Sequence, residues 1–237
     1  MKTIKYFLLQ TVLLSVILGL FSLPVSAEKQ RETISDRLLF LGESTTAHLR
    51  SRGVLAGGTS TTQVLANESG TLMLNARLLS TRVIEPITRQ SLTIPEAIAV
   101  RKPEFLVLSF GLNGIATFSA NPGRYTELYA SLIAAAQNAS PETVIVLQTI
   151  YPVAKNPTEW KYDQSPGEIN LEIAKLNALL PALAKQTGSI LIDTASVLPD
   201  ADGYLRAEYS ADGIHLTRLG YLEVLNYLEE KLEEVLE

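Results

Sequence analysis

Two short segments of this 237-residue chain carry side chains whose types and spacing could do chemistry: Gly42-Glu43-Ser44, after an apolar run, and Asp212-Gly213-Ile214-His215. A serine hydroxyl becomes a nucleophile only beside a base of near-neutral pKa, and imidazole is the usual one. The chain has two histidines, His48 and His215. Asp212, three residues before His215, can bond Nδ1–H, fix the tautomer and leave Nε2 for Ser44. His48 lies in the helix that Ser44 begins and reads as a packing or surface residue. Asn113, in Gly111-Leu112-Asn113-Gly114, adds an amide donor. Hydroxyl, imidazole, carboxylate and amide are the parts of acyl transfer. Asp193 ends an apolar run and competes with Asp212 for the carboxylate role; the residues alone leave both open.

These side chains need elements to hold them. Buried-strand runs stand at Arg37–Leu41, Phe105–Phe110, Thr143–Thr149 and Ser189–Asp193, with few polar breaks, as in a parallel sheet covered on both faces. Helical patterns fall at Ser44–Arg50, Ile94–Arg101, Arg124–Gln137, Glu168–Lys185 and Thr217–Leu236. Pro181 should kink or split the fourth. In the fifth, Tyr221, Val224, Leu225, Leu228, Leu232 and Val235 form an apolar stripe opposite a row of glutamates. This alternation predicts an α/β fold: a three-layer α/β/α sandwich around a mainly parallel sheet with right-handed crossovers. Residues 52–93 read mostly as loop, with one short strand near Thr62–Leu65. Ligands of such sheets bind at the carboxyl ends of the strands, where Ser44, Asn113 and the Asp212–His215 turn all fall. There Ser44 could cap a helix or lend its N–H to an oxyanion.

Composition removes other classes. No cysteine means no disulfide scaffold, thiolate metal site or cysteine nucleophile. A net charge of −5 opposes a nucleic-acid groove. The Gly-x-Ser-x-Gly elbow of α/β hydrolases is missing. Asp200-Ala201-Asp202-Gly203 lacks the further ligands of a calcium loop and reads as a turn.

Taken together, Gly42-Glu43-Ser44, Gly111-x-Asn113 and Asp212-x-x-His215 resemble the three blocks of the SGNH hydrolase, or GDSL esterase/lipase, superfamily, in order from about Leu38 to Leu222. The likeness is to secreted or cell-surface members from Gram-positive bacteria. It implies a flavodoxin-like fold and serine-esterase activity without cofactor or metal. It also implies Ser44 as nucleophile, His215 as base and Asp212 as its orienter, with Asp193 left structural. The implied oxyanion hole is the Ser44 N–H, the Asn113 side chain and a glycine N–H, Gly70 in first place and Gly58 in reserve. Glu43 replaces the usual Asp, and Gly114 replaces the acid that often follows the Asn. Glu43 and Trp160 are candidate substrate contacts. The Trp lies in the segment Tyr151–Gly167, which should border the site, where it could stack on a sugar or acyl group or simply anchor the loop.

The chain opens with Lys2 and Lys5, an apolar stretch from Tyr6 to Leu23, and Val25 and Ala27 at signal-peptidase positions. Residues 1–27 read as a secretory signal cut after Ala27, with 28–237 as a single domain in a secreted or cell-surface protein. The expected partner is a small-molecule or glycan ester, with no nucleic acid and no stable membrane insertion after cleavage. Short acyl groups, especially acetyl, are the substrate expectation. The alternatives are an O-acyltransferase of the same fold and a noncatalytic glycan-binding surface protein.

Overall fold

A computed structural model describes residues 33–237; the signal read over residues 1–27 lies outside the described residues. Five strands form the main sheet: β1 (Leu38–Gly42), β2 (Val64–Leu65), β5 (Phe105–Ser109), β6 (Val144–Gln148) and β7 (Ile190–Ile192). Their order is β2-β1-β5-β6-β7 and every pairing is parallel. β1 and β5 are Leu- and Val-rich and buried at every position, because helices cover both faces.

Alternation along the strands sorts their side chains into two cores. Leu39, Leu41, Leu106, Leu108, Ile145 and Leu147 belong to one. With them pack α2 (Ile94–Arg101), α4 (Pro122–Ala139), α5 (Pro166–Asn177) and α6 (Leu180–Thr187). Leu38, Phe40, Phe105, Val107 and Val146 belong to the other, shared with α1 (Ser44–Ser51) and α7 (Arg218–Leu236). Each such side chain contributes about 1.5–3 kcal/mol by leaving water. The chain runs from β1 to the edge strand β2, then returns to the other side of β1 as β5. The strand order therefore reverses between β1 and β5, and a crevice opens at their carboxyl ends.

The sequence-based elements reappear with small shifts, with the expected split near Pro181 and three differences. The Glu168–Lys185 pattern is two helices: Ser165 caps α5 through a box with Glu168, and Pro181 sits in the first turn of α6, where it lacks no needed N–H. The stretch 52–93, read as mostly loop, also contains an antiparallel hairpin of β3 (Arg82–Ile84) and β4 (Ser91–Thr93). Its turn is held by the buried Glu85 carboxylate, which accepts from the Ile87 and Thr88 N–H groups and from Arg101. A short helix, α3 (Ile115–Ala120), follows the Asn113 loop. Val235, assigned to the apolar stripe of α7, is 56% exposed because it lies past the last turn that the sheet covers.

Candidate active site

β1 ends at Gly42 because nothing larger fits: a Cβ there would lie 2.1 Å from Thr46 Oγ1 and 2.5 Å from the Ser109 carbonyl oxygen. The chain then turns through Glu43, the N-cap residue, and Ser44 opens α1. Ser44 and Thr45 head a helix, so their N–H groups have no carbonyl one turn back to bond. α1 is fixed from the opposite side by α7, whose buried Tyr221 hydroxyl donates to the Thr45 carbonyl oxygen at 2.6 Å.

His215 reaches Ser44 from the turn before α7. Its Nε2 lies 2.9 Å from Ser44 Oγ and its Nδ1 lies 2.6 Å from Asp212 Oδ2. Asp212 Oδ1 accepts the Ile214 and His215 N–H groups at 2.9 and 2.8 Å. Burial pushes the Asp212 carboxyl up, but these backbone bonds and the His215 ring together hold it below its ordinary value. The neighbours of His215 diverge: Ile214 enters the α4-side core and Leu216 enters the α7-side core.

The segment after β6 cradles this turn. Ala154 N–H donates to the Gly213 carbonyl oxygen, and Thr158 and Glu159 N–H groups donate to that of Asp212. Gly213 has φ +111°, and a Cβ there would sit 2.2 Å from Pro157 Cβ. Gly213→Ala is therefore expected to destabilise the fold by about 1–3 kcal/mol through overpacking and strain. Urea unfolding of the variant checks this. An open pocket of about 310 Å³ adjoins the same turn, lined by Lys155, Asn156, Thr158, Asp200, Ser210 and Asp212 among others. Ser44 and His215 are not in its lining, so it borders the turn and does not contain the nucleophile.

The oxyanion side departs from expectation. Asn113 is at the predicted strand end, and its Nδ2 donates to Thr71 Oγ1 and to the Leu72 carbonyl oxygen at 3.3 and 3.2 Å. This ties the 70–72 loop to the end of β5. The Gly70 N–H, expected as an oxyanion donor, is used inside its own turn, where it donates to Asn67 O at 3.1 Å. The Gly58 N–H likewise donates to Leu55 O at 2.9 Å. Both assignments are corrected, because each amide faces back into a tight turn.

Glu43 is corrected as well. It is 2% exposed, and its two carboxylate oxygens accept the Gly111 and Asn113 N–H groups at 3.2 and 3.0 Å. It is a tether for the Asn113 loop, not a substrate contact. Burial drives its carboxyl up to about 7, against the pull of those N–H groups and of Lys161. Trp160 is half-buried against the α4-side core; its Nε1 donates to Gln164 O and its ring meets Tyr162 edge-on at 5.0 Å. That geometry is loop anchoring. Asp193 takes a hydrogen bond from Thr149 Oγ1 at 2.9 Å, so the carboxylate on His215 is Asp212.

One neighbour was missed. His48, read as a packing or surface residue, lies against the His215 ring with centroids 4.2 Å apart. The signal was its i+4 spacing from Ser44, which puts both side chains on one helix face.

A serine–imidazole–carboxylate line at the reversal point of a parallel sheet defines a hydrolase-type site. The chain belongs to the GDSL-like lipase/acylhydrolase family, whose model matches residues 40–222. That family consists generally of ester hydrolases. A candidate SGNH hydrolase from Slackia heliotrinireducens is similar in structure, with 25% identity and TM-score 0.55 over 82% of this chain and 97% of its own. The M. smegmatis aryl esterase matches with 19% identity and TM-score 0.54, over 83% and 98%. A candidate platelet activating factor protein of Streptococcus pneumonia matches with 20% identity and TM-score 0.58, over 87% and 86%. Among curated proteins, none matches this sequence. Among the described residues, no helix is long and apolar enough to cross a membrane.

Proposed function

We propose that the protein is a secreted serine esterase of Gram-positive type that removes short acyl groups, acetyl above all, from hydroxylated alcohols such as cell-envelope or plant glycans. The observation that carries the esterase reading is the unbroken line Asp212–His215–Ser44 at the carboxyl edge of the sheet. Export rests on the sequence of residues 1–27.

In this reading Ser44 Oγ attacks the ester carbonyl carbon as its proton passes to His215 Nε2, and the carbonyl π pair moves onto oxygen. The oxyanion is met by the Ser44 N–H and the positive end of α1; the Asn113 amide, bonded to Thr71 and Leu72, joins them only if the 70–72 loop releases it. Collapse of the tetrahedral intermediate breaks the bond to the alcohol oxygen, which takes the proton from Nε2. Water then gives a proton to Nε2 and attacks the acyl carbon. Release of the acid returns that proton to Ser44 Oγ. Asp212 remains an anion throughout and supports the imidazolium.

The test is hydrolysis of p-nitrophenyl acetate, butyrate and octanoate by the wild type and Ser44→Ala, with a sugar acceptor present in a parallel reaction. Free acid that requires Ser44, fastest from acetate, is the expected result. Undiminished hydrolysis by Ser44→Ala would remove the reading. Acylated sugar in place of free acid would make the protein an O-acyltransferase. Unaltered glycan binding by Ser44→Ala, with no ester turned over, would make it a noncatalytic binder.

A further inference from the structure

The chain's two histidines are 167 positions apart in sequence, yet their rings pack together in a tilted arrangement, with centroids 4.2 Å apart and planes 32° apart. The edges of His215 are already held, by Asp212 at Nδ1 and by Ser44 at Nε2. Together with the Cβ–Cγ bond these contacts set the plane of the ring, but hydrogen bonds tolerate tilt, and a flat group packed against the ring resists it. His48 supplies that group from α1, the helix that also presents Ser44. The nucleophile and the ring packed against its base therefore come from one helix.

Resting on the esterase reading, we propose that His48 is a positioning residue for His215: an uncharged ring whose stack holds the base imidazole in the plane of the Ser44–Asp212 line. It forms and breaks no bond in the reaction. The chemistry of its surroundings fits a neutral ring. Its Nδ1 is buried without a hydrogen-bond partner, so a charged imidazolium would leave an N–H there with no acceptor. His215 and Asp212 face it from the turn before α7, and Arg52 faces it from the end of its own helix. Arg218 grips the carbonyl oxygens of Arg52 and Gly53 at that end. Burial first, then His215 and Arg52, lower the His48 pKa, while Asp212 opposes them. A proton on His48 would set a cation against the imidazolium that forms when Ser44 attacks, and so oppose that step.

The experiment compares the full-chain wild type with His48→Ala, His48→Phe and Ser44→Ala. The readouts are kcat/KM for p-nitrophenyl acetate from pH 4.5 to 9 and the rate of serine labelling by a fluorophosphonate. Thermal melts confirm folding of each variant. His48→Ala is expected to lose about 10- to 100-fold in both rates, the scale of a small misplacement of a reacting group. His48→Phe restores the flat face and should recover most of that loss. Its acid limb should fall with a single protonation, whereas the wild type steepens at the acid end as His48 also takes a proton. The positioning role is overturned if folded His48→Ala matches the wild type in rate and pH profile. It is also overturned if His48→Phe is as slow as His48→Ala, since the face alone would then not suffice. Wild-type labelling that survives in Ser44→Ala would overturn the esterase reading itself; labelling confined to Ser44 keeps the two failures distinct.

Discussion

Asp212→Asn is expected to lower ester turnover by about 10³- to 10⁴-fold while the protein still folds. In the native site Oδ1 accepts two backbone N–H groups and Oδ2 accepts the imidazole Nδ1–H. An asparagine would keep its oxygen on the two N–H groups, a geometry no amide nitrogen can satisfy. Its NH₂ would then point at Nδ1 and force the proton onto Nε2. His215 would present Ser44 with a donor where the reaction needs an acceptor. His215→Ala and Ser44→Ala should fall at least as far, and the three losses should not add, because the groups act on one proton. Steady-state kinetics on p-nitrophenyl acetate, with unfolding curves to show that each variant folds, decide the matter. A loss of less than tenfold for Asp212→Asn would mean that another group orients the base.

The second large effect concerns stability and pH. Glu43 is buried, with two N–H donors and no cation bonded to its carboxylate. Its carboxyl rises from 4.5 to about 7. Between those values the folded protein holds a proton that the unfolded chain releases, so the folded state gains stability as pH falls through this window. The burden of ionised Glu43 is fully present above about pH 7 and is relieved near 4.5. Its size is on the order of 3 kcal/mol. His48, whose pKa is lowered in the fold, works in the opposite direction below its unfolded value of 6.5. Asp212 acts only below 3.8. The clean measurement is therefore a difference: urea unfolding of wild type and Glu43→Gln at pH 8, 6.5 and 5. Relative to the variant, the wild type should gain stability steadily toward pH 5. A difference that does not change with pH would show that the carboxylate is well solvated.

Much of this architecture was legible in the sequence because the strands are buried on both faces. Uninterrupted apolar runs such as Leu38–Leu41 and Phe105–Leu108 have few other uses, and polar residues just beyond them fall on the binding edge. The reach from His215 to Ser44 was legible for the same reason. The β3–β4 hairpin was not. Its strands are three residues each, and their pairing depends on Glu85, a carboxylate whose partner Arg101 comes from another element. The role of Glu43 was hidden because its partners lie 68 and 70 residues away. Gly70 misled because glycine type suggests a free amide, whereas the turn back to Asn67 O uses that amide. For His48 the i+4 spacing was visible, but which ring it would meet depended on where the turn before α7 comes to rest.

Ile214 and Leu216, on either side of His215, are rooted in opposite cores. The imidazole is thus suspended between the two packed faces of the sheet, like a needle held by a thread from each wall. Its placement reports the alignment of those walls. Slippage of one layer against the other would therefore be felt at this ring. Activity thus depends on how the two layers are aligned as well as on the residues of the site.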